Sequence, residues 1–235
     1  SGDGVSTTIA YGEGNRLTEI LSLDIDQSLG YFYTGIGSYL GFPVFNEGKT
    51  MGLASYGSPR YDFPIETTSE AYRVSFASSV KEKKPLTAVT GRWLFHMYRT
   101  FGKEYSSPTI MDPMTGYLRK HPILYDDRAK DIAASAQKKL EEILLHLVRT
   151  YTQKLRCRHV VMAGGVALNC SANGKIQRSG LVDELYILPA ANDSGNCIGA
   201  AMFECSRHME MPKQPLPTPY WGHSYHNEEI HAVLD

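Results

Sequence analysis

Carboxylates and amides stand beside glycines at several points of this sequence, always where a chain would turn. The places are Asp3-Gly4, Glu47-Gly48-Lys49, Gly164-Gly165 with Asn169 just beyond, and Asn192-Asp193-Ser194-Gly195. Glycine lets a backbone come close to a ligand, because no Cβ intervenes. A carboxylate at such a turn can hold a divalent cation while neighbouring N–H groups meet phosphate oxygens. An asparagine there can donate to and accept from a ribose or a phosphate. Each pattern also has a plainer reading. Asp3-Gly4 is an ordinary turn dipeptide and Asp193 an ordinary helix cap. Gly164-Gly165 is also what a tight strand-to-helix crossover requires, and Glu47 with Lys49 is also a solvated pair.

These residues need elements to hold them. Val160-Val161-Met162-Ala163 reads as a buried strand that runs into Gly164-Gly165 and then a helix over 167–178. A second strand at 184–188 ends in Pro189-Ala190-Ala191 and is followed by a helix over 195–209. Two strand-to-helix switches in tandem set two helix N-termini, with free N–H groups and partial positive charge, beside the same strand ends. In open α/β sheets ligands bind at such points. Upstream, residues 3–25 suit a meander of short strands with turn chemistry at Gly12-Glu13-Gly14-Asn15, and Asp26 is placed to cap a helix over 28–40. Gly35 and Gly37 in that helix permit close packing. Residues 47–57 read as a short helix stopped by Gly57, and the next clear helix runs from Asp127 to Leu155. In it Ile132, Ala136, Leu140, Ile143, Leu144, Leu147, Val148 and Tyr151 recur at helical spacing. Between them, strands are expected within 62–76, an aromatic helix over 91–101 and a loop over 105–122. Pro-rich 212–219 reads as a linker.

With 235 residues and 42% hydrophobic content, the chain can hold one large domain or two small ones. A net charge of −1 argues against a broad nucleic-acid surface. Lys81-Glu82-Lys83-Lys84 reads as a solvated loop. Cys157, Cys170, Cys197 and Cys205 lack metal-knuckle spacing and read as reduced, mostly buried thiols of a cytoplasmic protein. His223, His226 and His231 do not match a zinc pattern. The sequence contains neither a P-loop nor a Gly-x-Ser-x-Gly elbow. No apolar run approaches the ~20 residues of a membrane span. Both ends read as cut, so the chain is expected to be a fragment of a longer polypeptide.

Taken together, several pieces resemble the NodU/CmcH family of O-carbamoyltransferases. They are Ser28-Leu29-Gly30-Tyr31-Phe32-Tyr33, Tyr39-Leu40-Gly41-Phe42, and the run from Glu47-Gly48-Lys49-Thr50-Met51 to Tyr56-Gly57. Asp131-Ile132-Ala133-Ala134-Ser135-Ala136-Gln137 follows. Last come the run from Gly164-Gly165-Val166-Ala167-Leu168-Asn169 to Gly174-Lys175, and Pro189-Ala190-Ala191-Asn192-Asp193-Ser194-Gly195. The resemblance implies an α/β fold, the second lobe of an actin-like ATPase (ribonuclease H-like) domain, with a mixed sheet flanked by helices. Residues 1–211 would be that lobe, with a helical insertion at about 60–125. Residues 212–235 would be a linker and the approach to a YrdC-like domain.

The same resemblance implies ATP and carbamoyl phosphate as substrates, with carbamoyl-adenylate between them, and a small-molecule hydroxyl as acceptor. A divalent metal, iron or magnesium, would be held by Asp3 and Asp193. Gly4, Gly164, Gly165 and Asn169 would contact the nucleotide, and Glu47 and Lys49 would position substrate. The family's metal site also uses a His-x-x-x-His pair, which this sequence does not contain, and activity would need the missing N-terminal lobe and the YrdC-like domain. Nodulation and antibiotic tailoring are the family's settings. A tRNA threonylcarbamoyl transferase, a sugar kinase of the same superfold or a noncatalytic nucleotide-binding module are the alternatives.

Overall fold

One helix of 29 residues organises the structure, a computed structural model that describes residues 4–43, 45–76, 86–102, 109–111, 118–120, 125–210, 220 and 222–234. This helix, α4 (Asp127–Leu155), starts where the Asp126 side chain accepts from the Ala129 N–H, and ends at Arg156, whose φ of 51° is left-handed. Of the residues expected on its apolar stripe, Ile132, Ala136, Leu140, Ile143, Leu144, Leu147 and Tyr151 are buried and Val148 is half-buried. Periodicity locates such a helix well because most of its stability comes from packing one face.

The elements preceding α4 are β1 (Val5–Glu13), β2 (Arg16–Asp24), α1 (Leu29–Tyr39), α2 (Glu47–Ala54), β3 (Ile65–Thr67), β4 (Tyr72–Val74), α3 (Leu86–Phe101), β5 (Thr109–Met111) and β6 (Leu118–Lys120). After it come β7 (His159–Met162), α5 (Cys170–Arg178), β8 (Glu184–Ile187), α6 (Asn196–His208) and α7 (Asn227–Leu234). Helix α3 packs on α1, while α2 and α5 pack on α4. The core lies among α1, α3, α4 and the β3–β4 hairpin, with Phe32, Trp93, Met97 and Ile132 fully buried. Phe32 meets Trp93 and Phe63 at ring-centroid distances of 4.7 and 5.1 Å.

Close approach at two glycines sets this packing. A Cβ on Gly35 would stand 2.5 Å from Cβ of Trp93, so α1 and α3 touch backbone to side chain. A Cβ on Gly57 would stand 2.1 Å from the carbonyl oxygen of Lys130, so the chain leaving α2 runs against the backbone of α4. That exit is then held by polar groups of α4. Asp131 accepts from the Ser58 N–H at 2.7 Å and pairs with Arg60 at 3.0 Å, and Ser135 Oγ accepts from the N–H groups of Arg60 and Tyr61.

Several expectations change. The expected meander is one long hairpin: β1 pairs antiparallel with β2 through a turn at Gly14, whose φ of 60° suits glycine. Asp26 does not cap α1. Ser28 does, accepting from the Tyr31 N–H, while Asp26 is buried in a 3-10 turn (Ile25–Gln27) and pairs with Arg92 at 3.1 Å. The extra turn moves the helix start past the aspartate. The helix over 167–178 splits into a 3-10 turn (Gly165–Leu168) and α5, because Asn169 leaves helical geometry to cap the second piece. Short strands β5 and β6 occupy part of the expected 105–122 loop and pair antiparallel.

Among the described residues the strands form four two-stranded sheets rather than one mixed sheet. The hairpins and the parallel β7–β8 pair each satisfy one edge internally and share no ladder. Parallel β7 and β8, linked by α5, make the structure mixed α/β. The cysteines are reduced but not mostly buried: Cys170, Cys197 and Cys205 are exposed and Cys157 is half-buried. Asp3, the charged run at 81–84 and the 212–219 linker lie outside the described residues. No described helix is long and apolar enough to cross a membrane.

Gly57→Ala is expected to lower unfolding free energy by about 1–3 kcal/mol, the usual cost of overpacking a site that cannot yield. Gly48→Ala, on the open face of the neighbouring helix α2, should be neutral or stabilising. Urea midpoints at constant m-value distinguish the two; a Gly57→Ala midpoint equal to that of the parent would refute the close approach.

Candidate functional site

The Gly164–Asn169 segment lies at the centre of a chain of contacts. Strand β7 stops at Met162, and Gly164 takes a φ of 91°, a conformation open to glycine alone at little cost. Its N–H donates to the Ala191 carbonyl at 2.6 Å, which ties this turn to the loop after β8. The loop is itself folded tightly. Asn192 Oδ1 accepts from the Ser194 N–H, and a Cβ on Gly195 would lie 2.2 Å from the Ala190 carbonyl oxygen. Asp193 is exposed at the start of that turn. Gly164 and Gly165 are exposed, and Gly165 has open space where a Cβ would stand. The N–H groups opening the Gly165–Leu168 turn have no partner within it, as at any helix start.

Two further elements reach this segment. Val166 touches the start of α1 at Gly30, where a Cβ would be 3.7 Å from Val166 Cγ2. Just upstream, the Ile25 N–H donates to the Gly4 carbonyl at 2.8 Å, which carries Gly4 (φ 88°) to the same end of α1. On the other side, Met51 of α2 lies 3.7 Å, sulfur to sulfur, from Cys170, the first residue of α5. Helix α2 carries Glu47, which accepts from Thr34 Oγ1 at 2.7 Å, and exposed Lys49. Gly4, Gly164, Gly165, Asp193, Glu47 and Lys49 thus sit on segments linked through the turn before α5. Asp3 lies outside the described residues.

Asn169 sits beneath this surface. It is 8% exposed, and its amide exchanges two hydrogen bonds with Gln137 of α4, Nε2 to Oδ1 and Nδ2 to Oε1, both 2.9 Å. Its Oδ1 also caps α5 by accepting from the Ala172 N–H at 3.0 Å, and its amide also interacts with the Tyr33 hydroxyl. Gln137 is saturated. Its second N–H donates to Glu141 Oε1 at 2.8 Å, and its oxygen accepts from the Tyr33 hydroxyl at 2.6 Å. Glu141, 4% exposed at its side chain, is balanced by an ion pair with Lys175 and a hydrogen bond from Ser171 Oγ. Burial, with the Glu141 charge adding to it, raises the Tyr33 hydroxyl pKa well above its ordinary value, so the group stays a donor. The sequence reading did not place Gln137, Glu141 and Tyr33 near the site. Their signal was polar residues at four-residue spacing (Asp131 and Ser135, Gln137 and Glu141) set into the apolar side of α4.

Among the described residues no three His, Cys, Asp or Glu side chains are grouped to hold a metal. Asp193 supplies a single exposed carboxylate there.

A profile of the family described as "Carbamoyltransferase N-terminus" matches residues 1–202. The chain belongs to that family. Nodulation protein NolO of Bradyrhizobium diazoefficiens is 32% identical over 229 residues, covering 97% of this chain and 38% of its own length. Nodulation protein NolNO of Sinorhizobium fredii is 30% identical over 222 residues, with coverages of 94% and 29%. A tRNA N6-adenosine threonylcarbamoyltransferase of Fervidobacterium nodosum is 27% identical over 195 residues, with coverages of 82% and 50%. The chain therefore spans well under half the length of the nodulation proteins it matches. Family membership carries a transferase, carbamoyltransferase-like character to this chain at that coarse level.

Replacing Gln137 by Leu removes the acceptor of the Asn169 Nδ2–H and of the Tyr33 hydroxyl, and one of the two donors to Glu141 Oε1. A loss of about 1–3 kcal/mol in unfolding free energy is expected, the cost of leaving buried polar groups unsatisfied. Denaturant titration reads it, and a loss below about 0.5 kcal/mol would mean that the network is not held as described.

Proposed function

We propose that this chain is part of the transfer domain of an ATP-dependent O-carbamoyltransferase of the NodU/CmcH type, within an actin-like lobe. The observation that carries the reading is the exposed Gly164-Gly165 turn, tied to the Asp193 loop and seated on α1, in a member of the carbamoyltransferase family. In this reading the backbone of that turn receives the adenylate, Asn169 braces the turn from below, and Gly4 lines the phosphate end. Glu47 and Lys49 face the acceptor side. Asp193, with Asp3, would take a divalent metal.

The chemistry is acyl transfer. Carbamoyl phosphate is hydrolysed to carbamate and inorganic phosphate, and a carbamate oxygen then attacks the α-phosphorus of ATP, giving carbamoyl-adenylate and releasing pyrophosphate. An acceptor hydroxyl then attacks the carbamoyl carbon, the bond from that carbon to the phosphate oxygen breaks, AMP leaves, and the hydroxyl proton passes to a base. Preorganised N–H groups aimed at the carbonyl oxygen are the protein's contribution to such a step. The cytoplasm, and the remaining domains of a longer polypeptide, are the expected setting.

A second reading, threonylcarbamoyl transfer to tRNA, draws on the Fervidobacterium relative. The net charge of −1 disfavours it, because tRNA binding needs a basic stripe.

The test is pyrophosphate release from ATP by the full-length protein. Release with carbamoyl phosphate is expected; release only with threonine and bicarbonate would move the protein to the tRNA branch. Gly165→Val should keep the melting temperature, since the added side chain meets open space, yet weaken ATP binding by roughly tenfold or more, about 1.4 kcal/mol. Unchanged ATP affinity in that variant would remove the turn from the site.

A further inference from the structure

Away from the Gly164 turn, the exposed side of α3 forms a groove of about 670 Å³ together with Phe76. Volumes of this order suit small molecules. Arg92, His96 and Arg99 line it at i, i+4 and i+7 of α3, so one helix face carries two guanidinium groups with an imidazole between them. The other part of the lining is aromatic. Phe76 packs its ring against Trp93 and His96 at 4.6 and 5.7 Å, and Phe95 stands 63% exposed beside them.

The charges in this groove are unevenly balanced. Arg92 is paired with buried Asp26 at 3.1 Å. Among the described residues no carboxylate pairs with exposed Arg99. Burial, and then the Arg99 charge, hold the His96 imidazole below its ordinary pKa, as expected where positive charge lacks a counter-ion. A neutral imidazole here can donate one hydrogen bond beside a guanidinium that offers a planar fork of donors. Among the described residues, the groups facing His96 are Arg92 and Arg99 on its own helix and the Phe76 ring across the groove, with Asp26 already engaged by Arg92.

We propose that this groove is a binding site for a small organic oxyanion, a phosphate or carboxylate attached to a flat apolar body. The oxyanion sits between Arg99 and His96, and the apolar body lies along Phe76 and Phe95. The groove begins at Arg92, whose partner Asp26 follows Ile25, the residue that holds Gly4.

The experiment uses phenyl phosphate as probe and histidine ring NMR of the full-length protein, with the His96 signal assigned by loss in His96→Gln. The expected result is a saturable shift of that signal and a rise in the His96 pKa on binding. Inorganic phosphate and phenol should each bind more weakly than phenyl phosphate. Arg99→Ala, a change at an exposed position, should weaken binding by about tenfold, the effect of losing one charge-assisted contact. No shift, equal binding of phenol alone, or an affinity untouched by Arg99→Ala would overturn the site. Loss of binding in Gly165→Val instead would place the probe at the turn and also overturn it. Because no nucleotide or carbamoyl donor is present, failure here leaves the pyrophosphate assay to judge the transferase reading alone.

Discussion

The exchange of two hydrogen bonds between the Gln137 and Asn169 side chains is the constraint on which the rest of the site depends. It joins α4, the longest helix, to the residue where the chain turns from a 3-10 turn into α5. Two amides that exchange donor and acceptor leave little freedom in either orientation. The Tyr33 hydroxyl extends the lock to α1. Three helices are thereby referenced to one point under the Gly164-Gly165 surface. Such a network is stabilising only when every member is satisfied, and Gln137 meets that condition with all of its donors and acceptors engaged.

Around this lock the molecule uses close backbone approach to set distances. Gly35 brings α1 against Trp93, Gly57 brings the α2 exit against α4, and Gly195 folds the last loop under Ala190. Gly165 differs. Nothing stands where its Cβ would be, so its freedom concerns what arrives from outside. Glycines alike in sequence therefore divide into ones that pack the interior and ones, Gly165 and Gly48 among them, that face open space.

The parts of the fold that were legible in the sequence share a physical trait: their signal is local. Helix α4 was readable because its apolar residues repeat at helical spacing and Asp126-Asp127 opens it. The β7–α5–β8–α6 order was readable from apolar runs that end in Gly-Gly and Pro-Ala-Ala-Asn-Asp. Where two residues competed for one local role, the sequence was ambiguous. Asp26 and Ser28 are both good caps, and the 3-10 turn decided between them. The hairpin β1–β2 was mistaken for a meander because alternation does not say how long a strand continues before its turn.

By itself, the sequence determined the main helices and the tandem strand-to-helix turns, because periodicity, capping and glycine act within a few residues of chain. It also carried the family motifs through which the carbamoyltransferase resemblance was read. What only the tertiary structure decided was the partnership of residues far apart in the chain. Tyr33, Gln137 and Asn169 meet in one buried network, and Asp26 reaches Arg92 at the head of a groove. Such contacts depend on how whole helices pack, and a polar residue within a stripe looks the same whether it faces water or a buried partner.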